Sequence, residues 1–149
     1  MMNCPRLLGS LLACSLFVSV AAGRVGDTEP ELTARYGAVT SRQPARKSVK
    51  GQMLIYGERL GFKFEFWTVS AVIIAGRCEE IEYTLAGKWT EPHFRRLLEI
   101  NGGWAEWTEQ KTRNPDNHRA WLRRDQTTAN WGLNGFMIRT AAAVPKPET

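Results

Sequence analysis

Few side chains in this 149-residue chain combine the types and spacing that covalent chemistry needs. A hydrolytic nucleophile wants a base beside it to take its proton. Past residue 23 the serines are Ser41, Ser48 and Ser70, and none sits in a G-x-S-x-G elbow. The two histidines, His93 and His118, are far apart, match no zinc spacing and leave Cys78 without a partner ligand. Asn114-Pro115-Asp116-Asn117-His118 carries oxygen and nitrogen donors, but its Pro and Asn make it a turn first. Carboxylate pairs exist in Glu79-Glu80-Glu82 and in Glu106 with Asp125. A glycosidase would need such a pair across a cleft, about 5 to 10 Å apart. Glu80 and Glu82 fall on one face of a strand, as on a solvated sheet surface. With no Gly-rich phosphate loop either, the sequence implies no catalytic residues, no cofactor and no metal. The alternative is a small secreted hydrolase, which would need a pocket joining His93 or His118 to a carboxylate.

Binding chemistry is better represented. Trp104, Trp107, Trp121, Arg123 and Trp131 bring indoles and a guanidinium into the last third of the chain, beside Arg124 and Asp125. Exposed tryptophans stack on sugar rings or lipid interfaces, and Arg stacks on them in turn. An exposed Trp–Arg face would suit a glycan, peptidoglycan or a partner protein; the competing reading is that these indoles fill a core with few other large residues. Arg42, Arg46, Lys47 and Lys50 form a second cluster, a candidate contact for an anionic surface such as lipid headgroups. The formal net charge of +5 fits that mildly. It lacks the dense basic stripe of a dedicated nucleic-acid binder.

The first residues set the expected location. Arg6 precedes an almost unbroken apolar or small run, Leu7 to Ala22, which closes on Val20-Ala21-Ala22-Gly23. That is the three-part build of a secretory signal peptide, with cleavage expected near Gly23 or Arg24. Leu11-Leu12-Ala13-Cys14 also matches a lipobox, so lipid anchoring at Cys14 is the alternative. The apolar run continues past Cys14, where a lipoprotein usually has a polar tether. The chain is therefore expected to be secreted or periplasmic, and Cys78 is the one cysteine left after cleavage, with no disulfide framework. A lone thiol beside a turn, it reads as a buried structural cysteine rather than an intermolecular bridge or a reactive thiol.

The elements that must position these residues follow from pattern. Residues 27–37 read as a short helix with Asp27 or Thr28 as cap, Pro30 in the first turn and Gly37 as stop. Residues 40–50 have no apolar period and read as a basic, solvated loop. From Gly51 to Leu85 the pattern is β, with a hairpin turn expected at Gly57–Gly61. Phe62, Phe64 and Phe66 line one face of the next strand, which is expected to run on through a bulge near Ser70; a turn follows at Ala75-Gly76-Arg77. Residues 89–103 form a second helix capped by Thr90, with Phe94, Leu97 and Leu98 as its buried stripe. Short strands are expected around residues 104–107, 120–123 and 135–139, and no order after Ala141. Thr-Glu-Pro opens both helices; two starts using the same capping chemistry is preferred here to a decayed duplication.

The combination of A-R-Y-G at residues 34–37, G-R-C-E-E-I-E-Y at 76–83 and L-L-E-I-N-G-G at 97–103 resembles small exported bacterial proteins of unknown function. A looser likeness is to the helix-plus-hairpin lipoproteins of the outer-membrane assembly machinery, which place a short helix with a Gly stop before an antiparallel sheet. Neither resemblance implies catalytic residues. The expected organisation is a signal peptide over 1–23, one α+β domain over 24–140 and a disordered tail over 141–149. The domain is expected to be an antiparallel β-sheet meander with two short helices packed on it. Its expected function is that of an exported, non-enzymatic binding module whose partner is an envelope protein or a glycan.

Overall fold

A computed structural model describes residues 25–102 and 106–143; residues 1–24 with Cys14, residues 103–105 with Trp104, and residues 144–149 lie outside the described residues. Helix α1 spans Glu29–Tyr36 and α2 spans Glu91–Ile100. Both start with a reciprocal capping box, which satisfies amides that an isolated first turn leaves free. At α1 the Thr28 N–H donates to the Glu31 carboxylate at 2.7 Å. At α2 the Thr90 N–H donates to Nδ1 of His93 at 3.1 Å, so an imidazole does the work of the glutamate. Gly37, at φ 88°, closes α1 in a conformation other residues rarely adopt.

Eight strands build the rest: β1 Ser41–Val49, β2 Gln52–Phe64, β3 Trp67–Ile74, β4 Arg77–Leu85, β5 Trp107–Gln110, β6 Arg119–Arg123, β7 Thr128–Gly132 and β8 Gly135–Arg139. They pair antiparallel in one sheet with the order β1-β2-β3-β4-β8-β7-β6-β5. The molecule is α+β, but the sheet dominates and the helices are minor. Its order has an internal symmetry. Each helix is followed by four strands, and the two four-strand sets meet at β4–β8, where Glu80, Ile81, Glu82 and Tyr83 pair with Arg139, Ile138, Met137 and Phe136. About that junction the strand order of the second set mirrors that of the first. Thr-Glu-Pro opens both helices, so each half is an α–β4 unit, a helix followed by four strands.

Across the sheet two rows of side chains face the helices. Leu60, Ala71, Ile81, Ile138, Ala129 and Trp121 form one by register, and Phe62, Val69, Tyr83, Phe136 and Trp131 form the other. All but Trp131 are buried, and Trp131 packs against the same cluster. Tyr36 of α1 lies on Phe62 and Phe64, while Phe94 of α2 lies among Trp89, Trp121, Trp131 and Phe136. The Tyr83 hydroxyl joins the helices, 2.6 Å from the Tyr36 hydroxyl and accepting from Asn101 Nδ2 at 3.0 Å.

The structure corrects the sequence reading at several points. Residues 41–49 are strand, not loop: β1 is an edge strand, wet on both faces except at Ala45, so no apolar period marks it. Gly57–Gly61 is not a turn but the middle of a 13-residue β2. Gly57 is there for close approach, since a Cβ would stand 2.5 Å from the Ile73 carbonyl. The true turn is Lys50–Gly51, both at positive φ as a two-residue type I′ hairpin requires. Nor does the Phe strand run on through Ser70. It reverses at Glu65–Phe66, with Glu65 at φ 54° and no glycine to signal it. In the last third β5 starts at Trp107, β7 is a further strand that the pattern does not announce, and residues 141–143 form a 3-10 turn that buries Ala143.

Candidate functional site

The longest strand makes the most distinctive surface. Strand β3 covers β2 only from Glu58 to Phe64, whereas β1 follows β2 to its start at Gln52. Residues 46–56 therefore form a two-stranded arm beyond the sheet. Five residues at strand rise give it a reach of about 16 Å. A register shift at Ala45/Arg46 marks the root. Arg42 anchors it there, paired with Glu58 on β2 and, at 2.5 Å, with Glu29 on α1.

Along the arm Arg46 pairs with Ile55, Lys47 with Leu54, Ser48 with Met53 and Val49 with Gln52. Cross-strand partners share a face and successive residues alternate. One face thus carries Arg46, Ile55, Ser48 and Met53, and the other carries Lys47, Leu54, Val49 and Gln52. Met53 is 64 % exposed, Leu54 48 % and Ile55 64 %. Three consecutive exposed apolar side chains put grease on both faces, which no single core can cover. From residue 43 to 57 there is no Asp or Glu. Among the described residues no ion pair engages Arg46, Lys47 or Lys50. Of the four cations singled out from sequence, three remain available to a partner and Arg42 is committed to holding the arm.

The tryptophan cluster is disposed differently. Trp107 is 8 % exposed and Trp121 2 %, both within the core, and Trp131 is half-buried against Phe94. Arg123 lies over Trp107 at 5.3 Å, donates to the Asn101 carbonyl and makes a two-point ion pair with Asp125 at 2.6 and 2.9 Å. That guanidinium holds the Asp125 carboxyl far below the usual range, so it stays an anion. Asp125 and Glu106 do border one open depression with Thr108, Leu122 and Arg124, at the β5–β6 edge. Among the described residues these indoles present no flat exposed pair for a sugar ring to stack on.

The remaining reactive groups are spread across both faces of the sheet. Glu80, 2 % exposed, is on the face away from the helices and clamped by Arg139 at 2.8 Å and Arg59 at 3.4 Å. Burial raises the Glu82 carboxyl beside it, against the pull of Arg59. Cys78 is buried on the helix side, where desolvation pushes its thiol far above a reactive range. His93 is spent in the α2 cap, and His118 is in the exposed β5–β6 loop, its backbone N–H donating to the Asn114 carbonyl. No group of three His, Cys, Asp or Glu among the described residues is placed to hold a metal.

What sequence reasoning missed is the apolar half of the arm. The run Met53-Leu54-Ile55 was readable as strand, and three apolar residues in succession signal two covered faces or an unusual exposed one. No family model matches this chain, and neither a curated protein nor a solved structure does.

Proposed function

We propose that this chain is an exported binding module, without catalysis of its own, whose contact element is the β1–β2 arm. One observation carries the reading: Met53, Leu54 and Ile55 stand exposed on a projecting hairpin beside three unpaired cations. Isolated surface apolar residues are ordinary, but a contiguous exposed set rimmed by charge marks an interaction site. The signal-peptide pattern of residues 1–23 supports export. A partner in the envelope or outside the cell then has to offer negative charge together with apolar surface.

The test is site-specific photo-crosslinking in an expressing bacterial host. A photoreactive residue replacing Leu54 should give discrete adducts in the envelope or medium fraction. The same residue replacing Thr84, exposed at the far end of the sheet, should give few. Equal labelling from both positions, or adducts from Thr84 alone, overturns the reading.

A further inference from the structure

We infer that the occupant of the arm is the surface of an anionic lipid bilayer, an assignment that rests on the arm being the contact element. The arm offers the two things such an interface rewards, and offers them together. Its apolar side chains are on both faces, so a flat protein surface would cover one face and leave the other in water. A headgroup layer closes around both. Each cation has an apolar cross-strand or near neighbour, Arg46 beside Ile55 and Lys47 beside Leu54. Long Lys and Arg stems lie along apolar surface while their charge reaches up to phosphate. Lys50 at the turn can do the same, and its four-carbon stem lets the ammonium return to phosphate depth as the tip dips in.

The dimensions agree. One headgroup layer is about 5–7 Å thick, and an arm reaching about 16 Å crosses it while the globular body stays outside. Tyr56, half-buried at the root, has the ring type that settles at such interfaces. Charge agrees as well: with no carboxylate between residues 43 and 57, nothing in the arm opposes approach to phosphate. Among the described residues no helix is long and apolar enough to cross a membrane. A protein cleft with acidic walls is the competing occupant, and the experiment separates the two.

The full-length product recovered from its host is mixed with vesicles of phosphatidylcholine alone, or of phosphatidylcholine with phosphatidylglycerol, and sedimented. Comparison of proteins sharing one N-terminus isolates the arm from any contribution of the leader segment. Wild-type protein should sediment with the anionic vesicles, weakly with the neutral ones, and less as salt rises. Replacing Arg46, Lys47 and Lys50 by Gln should cut partitioning about a hundredfold. Replacing Met53, Leu54 and Ile55 by Ser should leave only a salt-labile remnant. In a Leu54→Trp variant the emission of the added indole, obtained by subtracting the spectrum of the wild type with its six native tryptophans, should shift to the blue on binding. An unshifted emission from Leu54→Trp, or Ser variants that bind like wild type, overturns the lipid assignment. So does a lack of vesicle binding while Leu54-site crosslinks to a protein persist, and in that case the arm remains the contact element. Loss of both signals removes the proposed function as well.

Discussion

The two α–β4 halves share one plan and spend it differently. In the first, α1 lays a narrow stripe, Leu32 and Tyr36, on long strands, and the surplus length of β1 and β2 becomes the arm. In the second, β5 to β8 are four or five residues each, and stability comes from aromatic packing around Phe94. The connection matching the arm is the β5–β6 loop, residues 111–118. It is polar and tied to itself by Thr112 Oγ1 donating to the His118 carbonyl at 2.7 Å. A repeated scaffold thus lets one half specialise in holding the molecule together while the other grows a surface feature.

The sharpest way to break that contrast is to strike the equivalent fourth helical position in each half. Phe94→Ala should cost about 3–5 kcal/mol and Leu32→Ala about 2–5 kcal/mol by denaturant unfolding. Because Tyr83 serves both helices, each variant should still unfold in one transition; two transitions would mean the halves are separate folding units. Next comes the arm's root. Gly57→Ala forces a Cβ against the Ile73 carbonyl and should cost about 1–3 kcal/mol, with faster amide exchange along residues 52–57 and little change in β6–β8. A smaller effect separates the two capping boxes. His93→Ala should lose about 1 kcal/mol, and His93→Glu, which copies Glu31, should recover it in thermal melts.

The smallest expected effect is electrostatic and belongs to the seam. Burial raises the Glu82 carboxyl in the fold, so the folded chain holds its proton to higher pH than the unfolded chain does. Stability attached to this proton is complete below the ordinary carboxylate value and is lost as pH rises through the raised one. Glu82→Gln should therefore raise the melting temperature slightly at neutral pH. The difference should vanish below about pH 4, where wild-type Glu82 is protonated in both states. A variant less stable than wild type at neutral pH would show that the 3.6 Å pair with Arg59 outweighs the burial.

Local chemistry was readable where one residue type has one use. Thr28, Pro30 and Gly37 framed α1, Thr90 and Pro92 opened α2, and the alternation of Ile81, Tyr83 and Leu85 gave β4. Ala75–Gly76 marked the β3–β4 turn. Glycine misled where it has two uses: Gly57 and Gly61 look like turn residues, yet both lie mid-strand, and Gly57 admits the Ile73 carbonyl too close for a side chain. Edge strand β1 was invisible because period-2 alternation exists only where one face is buried. Glu65–Phe66 hid the next reversal because the cost of positive φ at Glu65 is met by the surrounding pairing, not by residue choice. The β4–β8 junction joins residues more than fifty positions apart, and no local pattern encodes it. For the site, the charges of the arm were legible and their grease was not, since exposure of Met53 to Ile55 follows from where β3 stops.

Strand β1 bounds the sheet, and an open edge ordinarily templates the next chain. Here Pro44 offers no N–H, the shift at Ala45/Arg46 twists the ladder, and the unpaired Arg46 and Lys47 would face their own copies. An adhesive hairpin beside a welcoming edge would invite fibrils. Blunting that edge would let the proposed contact hairpin bind others without pairing with its own copies.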